Sequence, residues 1–209
     1  RLGMREILRV ALRMLYENQF AVAAEPFGEM MAASWENAVA TSRVAAEVAR
    51  LLGRRDGDRF LVLGLLHNLG ELACLSILAG TPDGPSLTRE HIGAEVARHH
   101  ERVGEVLSKG WRLPPDVARV VSAHHRPGQE VDGNIILAAW TCACFAGFRP
   151  ICDQTIGDPY EALRRVGLSE LALEPLVELA ASTRDSPKSS GVRSRGLSVL
   201  ERLRRNTRA

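Results

Sequence analysis

The sequence predicts an all-α domain of about eight to ten helices. Three observations carry this. Apolar residues recur at three- and four-residue spacing along the chain, and no stretch alternates convincingly as a strand would. Aromatics make up only 5% of residues, so Leu, Val and Ala must fill the core, which suits close helix packing. Proline and glycine clusters then cut the chain into helix-length pieces.

Taken in order, Ile7, Leu8, Ala11, Leu12 and Leu15 share one face of a helix over residues 4–16. Pro26 breaks the chain, and an apolar turn over residues 27–33 follows. A helix over residues 38–52 turns Val44, Val48, Leu51 and Leu52 inward and ends at Gly53. Residues 53–58 form a turn in which Asp58 is placed to cap the next helix. Residues 60–78 are apolar almost all round and read as the central buried helix. No apolar run reaches the roughly 18 residues a membrane span needs. Residues 80–85 are the clearest loop.

Thr88 is placed to cap a long helix running to about Lys109, although His91, three positions on, denies it a full capping box. Leu113-Pro-Pro-Asp116 stops and restarts the chain, with Pro115 suited to a first helical turn. A helix over residues 117–125 ends at Pro127-Gly128, and a strongly apolar one covers 135–148. Two short helices, over 159–165 and 169–181, close the body. Residues 1–181 thus read as one helical domain. Residues 182–209 read as an appendage: a Ser-, Arg- and Gly-rich linker to residue 194, then an exposed helix over 196–206.

The net charge of +2 hides an asymmetry. Residues 184–209 carry eight basic and two acidic residues, a local +6, which leaves 19 basic against 23 acidic, −4, in the rest. The tail reads as a solvated Arg-rich segment rather than a nucleic-acid surface, because the body has no basic-aromatic stripe. No signal peptide opens the chain. Cys142 and Cys144 are too closely spaced for the usual zinc thiolate pair, so they, Cys74 and Cys152 read as buried thiols of a reducing cytoplasm. No membrane partner is expected.

The chemistry-bearing residues are histidines. Five of six fall at His67, His99-His100 and His124-His125, with His91 apart. Imidazoles from several helices meeting at one point suit Zn, Fe, Ni or Cu, while single core histidines are ordinarily structural.

Residues 60–70, FLVLGLLHNLG, resemble the GLLHDIG helix of the HD superfamily. His100, Val103-Gly104, Leu107, Trp111, Leu113-Pro114 and His124-His125-Arg-Pro127 resemble the H-x-x-V-G … L … W-x-L-P … HH-x-P run of its HDOD branch, the HD-related output domain. That run is shared in part with the HD-GYP phosphodiesterases. Trp35 and Thr41-Ser-Arg-Val-Ala45 are similar to an earlier W … H-S-x-R-V-A helix. The resemblance implies an HD-superfamily-like helical bundle. It also implies an all-α leading region ahead of Leu2-Gly3, so the chain reads as N-terminally incomplete and a candidate for self-association through an uncovered apolar face.

Carried over residue by residue, the family's first metal-ligand histidine falls on Thr41. The His of its His-Asp pair is His67, and the Asp is Asn68. The basic residue that follows in HD-GYP enzymes falls on Glu71, and the last Asp falls near Ala139. His100, His124 and His125 match additional histidines, but no GYP triplet follows Pro127. A hydrolytic metal centre needs ligands that hold the cation and ionise its water, and every anionic position of the pattern is gone. The expectation is a vestigial pocket of Thr41, His67, Asn68, His100, His124, His125 and Ala139, with no catalytic residue, cofactor or metal. The alternative metal set is His67, His100, His124 and His125. The function expected is a non-catalytic bacterial signal-transduction module acting through a protein partner or small-ligand sensing. The alternative is a metal-dependent phosphohydrolase or cyclic-dinucleotide phosphodiesterase.

Overall fold

The computed structural model describes residues 25–126, 128, 130–149, 151 and 156–184. The expected helix over residues 4–16, Pro127, Cys152 and the basic tail from residue 185 lie outside them. Among the described residues there is no strand, and the all-α expectation holds.

Helix α1 (Phe27–Leu51) is one continuous element where the sequence suggests two pieces. The polar residues Ser34, Asn37 and Thr41 that make its middle look interrupted all lie on the buried face, where buried polar groups must find partners within the fold. A turn then leads to α2 (Gly57–Leu66), which starts earlier than expected. Asp56 rather than Asp58 stands at the cap position and makes no capping bond. Its carboxylate is taken by Arg54, at 2.9 and 3.0 Å.

The expected central helix is two elements, α2 and α3 (Leu69–Ala79), which break at His67-Asn68. His67 Nδ1 donates to the Gly64 carbonyl at 2.6 Å. In regular α geometry that carbonyl accepts the N–H of Asn68, so the side chain competes with the ladder. Together the two elements make a helical stretch long and apolar enough to cross a membrane, but 78% of its most apolar window is buried inside the fold. It is a core helix, and it corrects the expectation that no stretch reaches that length.

Thr88 does cap α4 (Arg89–Gly110), its hydroxyl accepting from the His91 N–H. Helix α5 (Pro115–Ala123) starts at its proline, and α6 (Val131–Phe145) begins four residues earlier than its apolar run suggests. Asp158 caps α7 (Pro159–Val166), which Gly167 ends in the left-handed conformation at φ 89°. A 3₁₀ turn (Glu170–Ala172) precedes α8 (Leu173–Ala181).

Helix α1 packs against α2, α6 and α8, while α3 packs on α4 and α4 on α5. Phe27, Phe60, Leu63, Ile92, Ile135, Ile136 and Leu176 are fully buried between them. Gly70 sets the α3–α4 distance and Gly104 the α4–α5 distance. A Cβ on Gly70 would lie 1.9 Å from the His100 carbonyl oxygen, and one on Gly104 would lie 2.6 Å from Val121. At Gly70 the two helix backbones touch, which only glycine permits. At the far end of α2, Arg59 reaches Asp116 of α5 and Asp132 of α6 at 2.8 and 2.6 Å, pinning three helices. Residues 182–184, expected in a flexible linker, instead close the body. Thr183 is buried, and Arg184 bonds the Gly147 carbonyl and lies over the Phe148 ring.

Cys74, Cys142 and Cys144 are free and buried. Burial pushes Cys74 up to about 11 and the other two up to about 12, which makes them inert thiols.

Candidate functional site

The site forms where two chain segments leave their helices beside the middle of a third. His67 follows α2, His100 sits mid-way along α4 against Gly70, and His124 and His125 end α5. The glycine contact between α3 and α4 brings His100 close enough to join the others. The rings contact one another in a chain: His67–His124 at 5.0 Å between centroids, His100–His124 at 5.5 Å, His100–His125 at 5.1 Å and His124–His125 at 4.0 Å. Trp140 of α6 closes the cluster edge-on to His125 at 4.6 Å. His67, His100 and His124 are buried, and His125 is half-buried.

Two rings are oriented by the backbone. His67 Nδ1 faces the Gly64 carbonyl at 2.6 Å and His100 Nδ1 faces the Val96 carbonyl at 2.9 Å. A nitrogen that faces a carbonyl carries the proton, so each Nε2 presents a lone pair. Neither Nε2 has a hydrogen-bond partner, and neither do both ring nitrogens of His124 and His125, Asn68 Oδ1, Thr41 Oγ1 and Trp140 Nε1. Buried polar atoms without partners are uncommon in folded proteins. Among the described residues they are concentrated in this pocket.

His67, His124 and His125 are held neutral. Burial pushes His67 down to about 4, opposed by its bond to the Gly64 carbonyl and reinforced by His100. Burial, then His125, His67 and His100, holds His124 well below the ordinary imidazole range. Burial and the neighbouring His100 and His67 lower His125 to about 2. No carboxylate is among the groups acting on them.

The expected residues are therefore partly assembled. His67, His100, His124 and His125 meet directly. Asn68 lies beside them but turns its amide to Asn37, whose Oδ1 accepts from Asn68 Nδ2 at 3.2 Å. Thr41 and Ala139 are fully buried on the flanking helices α1 and α6, and Ala139 offers no ligand atom. His91 and His99 are exposed, and His99 faces Glu95 instead.

Sequence reasoning missed Asn37 and Trp140. Asn37 Nδ2 donates to the Phe148 carbonyl at 2.7 Å, so its Oδ1 must face Asn68. Asn37 stands one helical turn before Thr41, a spacing that would have placed it on the same face. Glu71 is buried and accepts from Ser34 Oγ at 2.8 Å.

The donor set decides what the pocket can do. One ligand atom each from His100, His124 and His125 lie within 4.8 Å of one another, and no carboxylate joins the group. A hydrolytic centre of the kind implied by the HD resemblance uses carboxylates to offset the cation's charge and hold its nucleophile. An amide (Asn68) and an alanine (Ala139) stand in those places, and the hydroxyl of Thr41 stands in that of a ligand histidine, so the residues do not fit such a centre.

The family model described as the HDOD domain matches residues 1–127. No curated protein and no solved structure matches the chain significantly. That match spans more than half of the chain and takes in Thr41, His67, His100, His124 and His125, so this protein belongs to the HDOD domain family.

Proposed function

We propose that the protein is a non-catalytic regulatory module of bacterial signal transduction, working in the cytoplasm through a protein partner or a small ligand on a degenerate HD scaffold. One observation carries the reading: the position of the lost acid is built around an amide. Asn68 donates to Asn37, and Asn37 is committed to the Phe148 carbonyl. A carboxylate at residue 68 would face the Asn37 oxygen, acceptor against acceptor. The neighbourhood is thus adapted to a neutral side chain, and with Ala139 it leaves the pocket without an anionic ligand. The buried free thiols suit a reducing compartment. The imidazole cluster between helices, with its unpaired polar atoms, is where such a module would take a small ligand.

The test is hydrolysis. The full chain supplied with Mn²⁺ or Fe²⁺ is incubated with a generic phosphodiester and with a cyclic dinucleotide. The reading predicts that both are recovered intact. Cleavage above the metal-only blank, lost in His67→Gln, would establish the phosphodiesterase alternative in its place.

A further inference from the structure

We propose that residues 182–184 are a latch that decides whether Asn68 offers a free acceptor or a free donor beside the imidazole cluster. The proposal deepens the reading above, and rests on it, by giving the regulation of that same site. Phe148 and Arg184, which carry it, lie outside the residues 1–127 that the family model matches.

The latch closes on the end of α6. Gly147 is left-handed there at φ 94°, its N–H bonds the Cys144 carbonyl, and the Phe148 N–H bonds the Ala143 carbonyl. This is the Schellman arrangement, and it delivers Phe148 just past the helix. Arg184 holds that turn. Its Nη2 donates to the Gly147 carbonyl at 3.0 Å, and its guanidinium lies 4.2 Å over the buried Phe148 ring. Arg184 reaches it because residues 182–184 extend the last turn of α8. The Thr183 N–H and hydroxyl both donate to the Ala180 carbonyl, and the Arg184 N–H donates to Ala181.

From Phe148 a line of hydrogen bonds runs to the site. The Phe148 carbonyl accepts from Asn37 Nδ2 at 2.7 Å, and Asn37 Oδ1 accepts from Asn68 Nδ2 at 3.2 Å. An amide has one oxygen and one NH₂, so each bond in the line dictates the next. With Phe148 seated, Asn37 turns its oxygen to Asn68, and Asn68 keeps Oδ1 buried and unpaired. If the Phe148 carbonyl withdraws, both amides are free to reverse. Asn37 then donates to Asn68 Oδ1, and the free group of Asn68 becomes an N–H donor. It stands next in sequence to His67, whose Nε2 is an acceptor without a partner.

The latch is held lightly. Ser182 and Arg184 are exposed, and of the three residues only Thr183 is buried. An exposed hydrogen bond and an exposed cation–ring contact open far more readily than the core does. The amide pair therefore gives the site two faces: acceptor-rich with the segment seated, donor-bearing with it withdrawn. By linkage, a ligand that distinguishes the two faces moves the segment, and a partner that draws the segment away changes the site.

The experiment is NMR of the isotope-labelled full chain, well below its melting temperature, reading the side-chain amides of Asn37 and Asn68. Arg184→Ala should move both signals and speed solvent exchange of the Asn37 amide at least about fivefold. Arg165→Ala, which removes an exposed arginine of α7 paired with Glu161, should leave both unchanged. In an Asn37→Ala background, Arg184→Ala should no longer move the Asn68 signal. Circular dichroism checks each variant. Should Asn37→Ala fail to fold, Phe148→Leu, which removes the ring beneath the guanidinium, replaces it and should move the Asn68 signal as Arg184→Ala does. An Asn68 amide unmoved by Arg184→Ala, whatever happens to the melting temperature, would make residues 182–184 a structural strap and overturn the latch. A shift that persists undiminished without Asn37, or one that Arg165→Ala reproduces, would overturn it too. Phosphodiester cleavage would instead overturn the regulatory reading and leave the coupling standing.

Discussion

His67 Nδ1 lies 2.6 Å from the Gly64 carbonyl oxygen, one turn earlier in the same helix. That bond ends α2, fixes the tautomer of the ring and aims the other nitrogen at the imidazole cluster. One hydrogen bond thus joins the fold to the site: the break in the central helix is the same event that orients its histidine. His67, His124 and His125 are neutral because they are buried, and this has a direct consequence for stability.

Stability of the metal-free protein should fall as pH drops below about 6.5. His67 titrates at about 4 in the fold, below the ordinary 6.5, so between those values the unfolded chain binds a proton that the folded one refuses. Its contribution is fully present above about pH 6.5 and is lost as pH falls through about 4. His67 alone then costs on the order of 3 kcal/mol, with His124 and His125 adding in the same direction. Urea midpoints at pH 8, 6 and 5 check this; a flat profile across that range would contradict it.

Gly70→Ala should destabilise the protein by about 3 kcal/mol or more, because its Cβ would meet the His100 carbonyl oxygen at 1.9 Å and α4 would have to move. Gly133→Ala, in α6 with nothing within 4 Å, should stabilise by about 0.5–1 kcal/mol through helix propensity alone. Thermal melts of the two variants should move in opposite directions. Equal shifts would mean that α3 and α4 are not in backbone contact.

The resemblance made most of the site legible in the sequence, and physical reading made most of the helices so. Spacing and motif placed His67, His100, His124 and His125, and the structure brings those four together. Periodicity failed where a side chain intervenes in the backbone: residues 60–78 are apolar almost all round, and nothing in that pattern signals that His67 takes the Gly64 carbonyl. It failed again in α1, where Ser34, Asn37 and Thr41 break the apolar face only because they line buried contacts. Asn37 was invisible for a related reason. Its role depends on the Phe148 carbonyl, 111 residues away in the chain, and no local pattern encodes that.

Asn68→Asp should not simply restore a metal ligand. The carboxylate would be buried, would lose the N–H that Asn68 gives to Asn37, and would face an acceptor that Asn37 cannot turn away without abandoning Phe148. The expected cost is about 2–4 kcal/mol. Adding Asn37→Ala should relieve part of it by removing the opposing oxygen. A double-mutant cycle in urea measures the coupling; strict additivity would show that the two side chains do not communicate.

Arg59→Met should loosen the end of the bundle opposite no single partner but across two, since Arg59 bonds Asp116 and Asp132 together. A loss of about 1–2 kcal/mol is expected, discounted for partial solvent exposure of the network. Burial pushes the Asp116 carboxyl up, but its bond to Arg59, the backbone N–H groups of Val117 and Asp116 and the Arg59 charge together hold it below the usual carboxylate range. Salt should weaken the unmodified protein more than the variant, and chemical denaturation at low and high ionic strength reads the difference.

The central claim is that this site is an imidazole cluster without the carboxylates of a hydrolytic metal centre, and metal-dependent hydrolysis of a cyclic dinucleotide by the full chain tests it most directly. The account predicts no cleavage above the metal-only blank with Mn²⁺ or Fe²⁺. Cleavage above that blank, lost in His67→Gln, would contradict it.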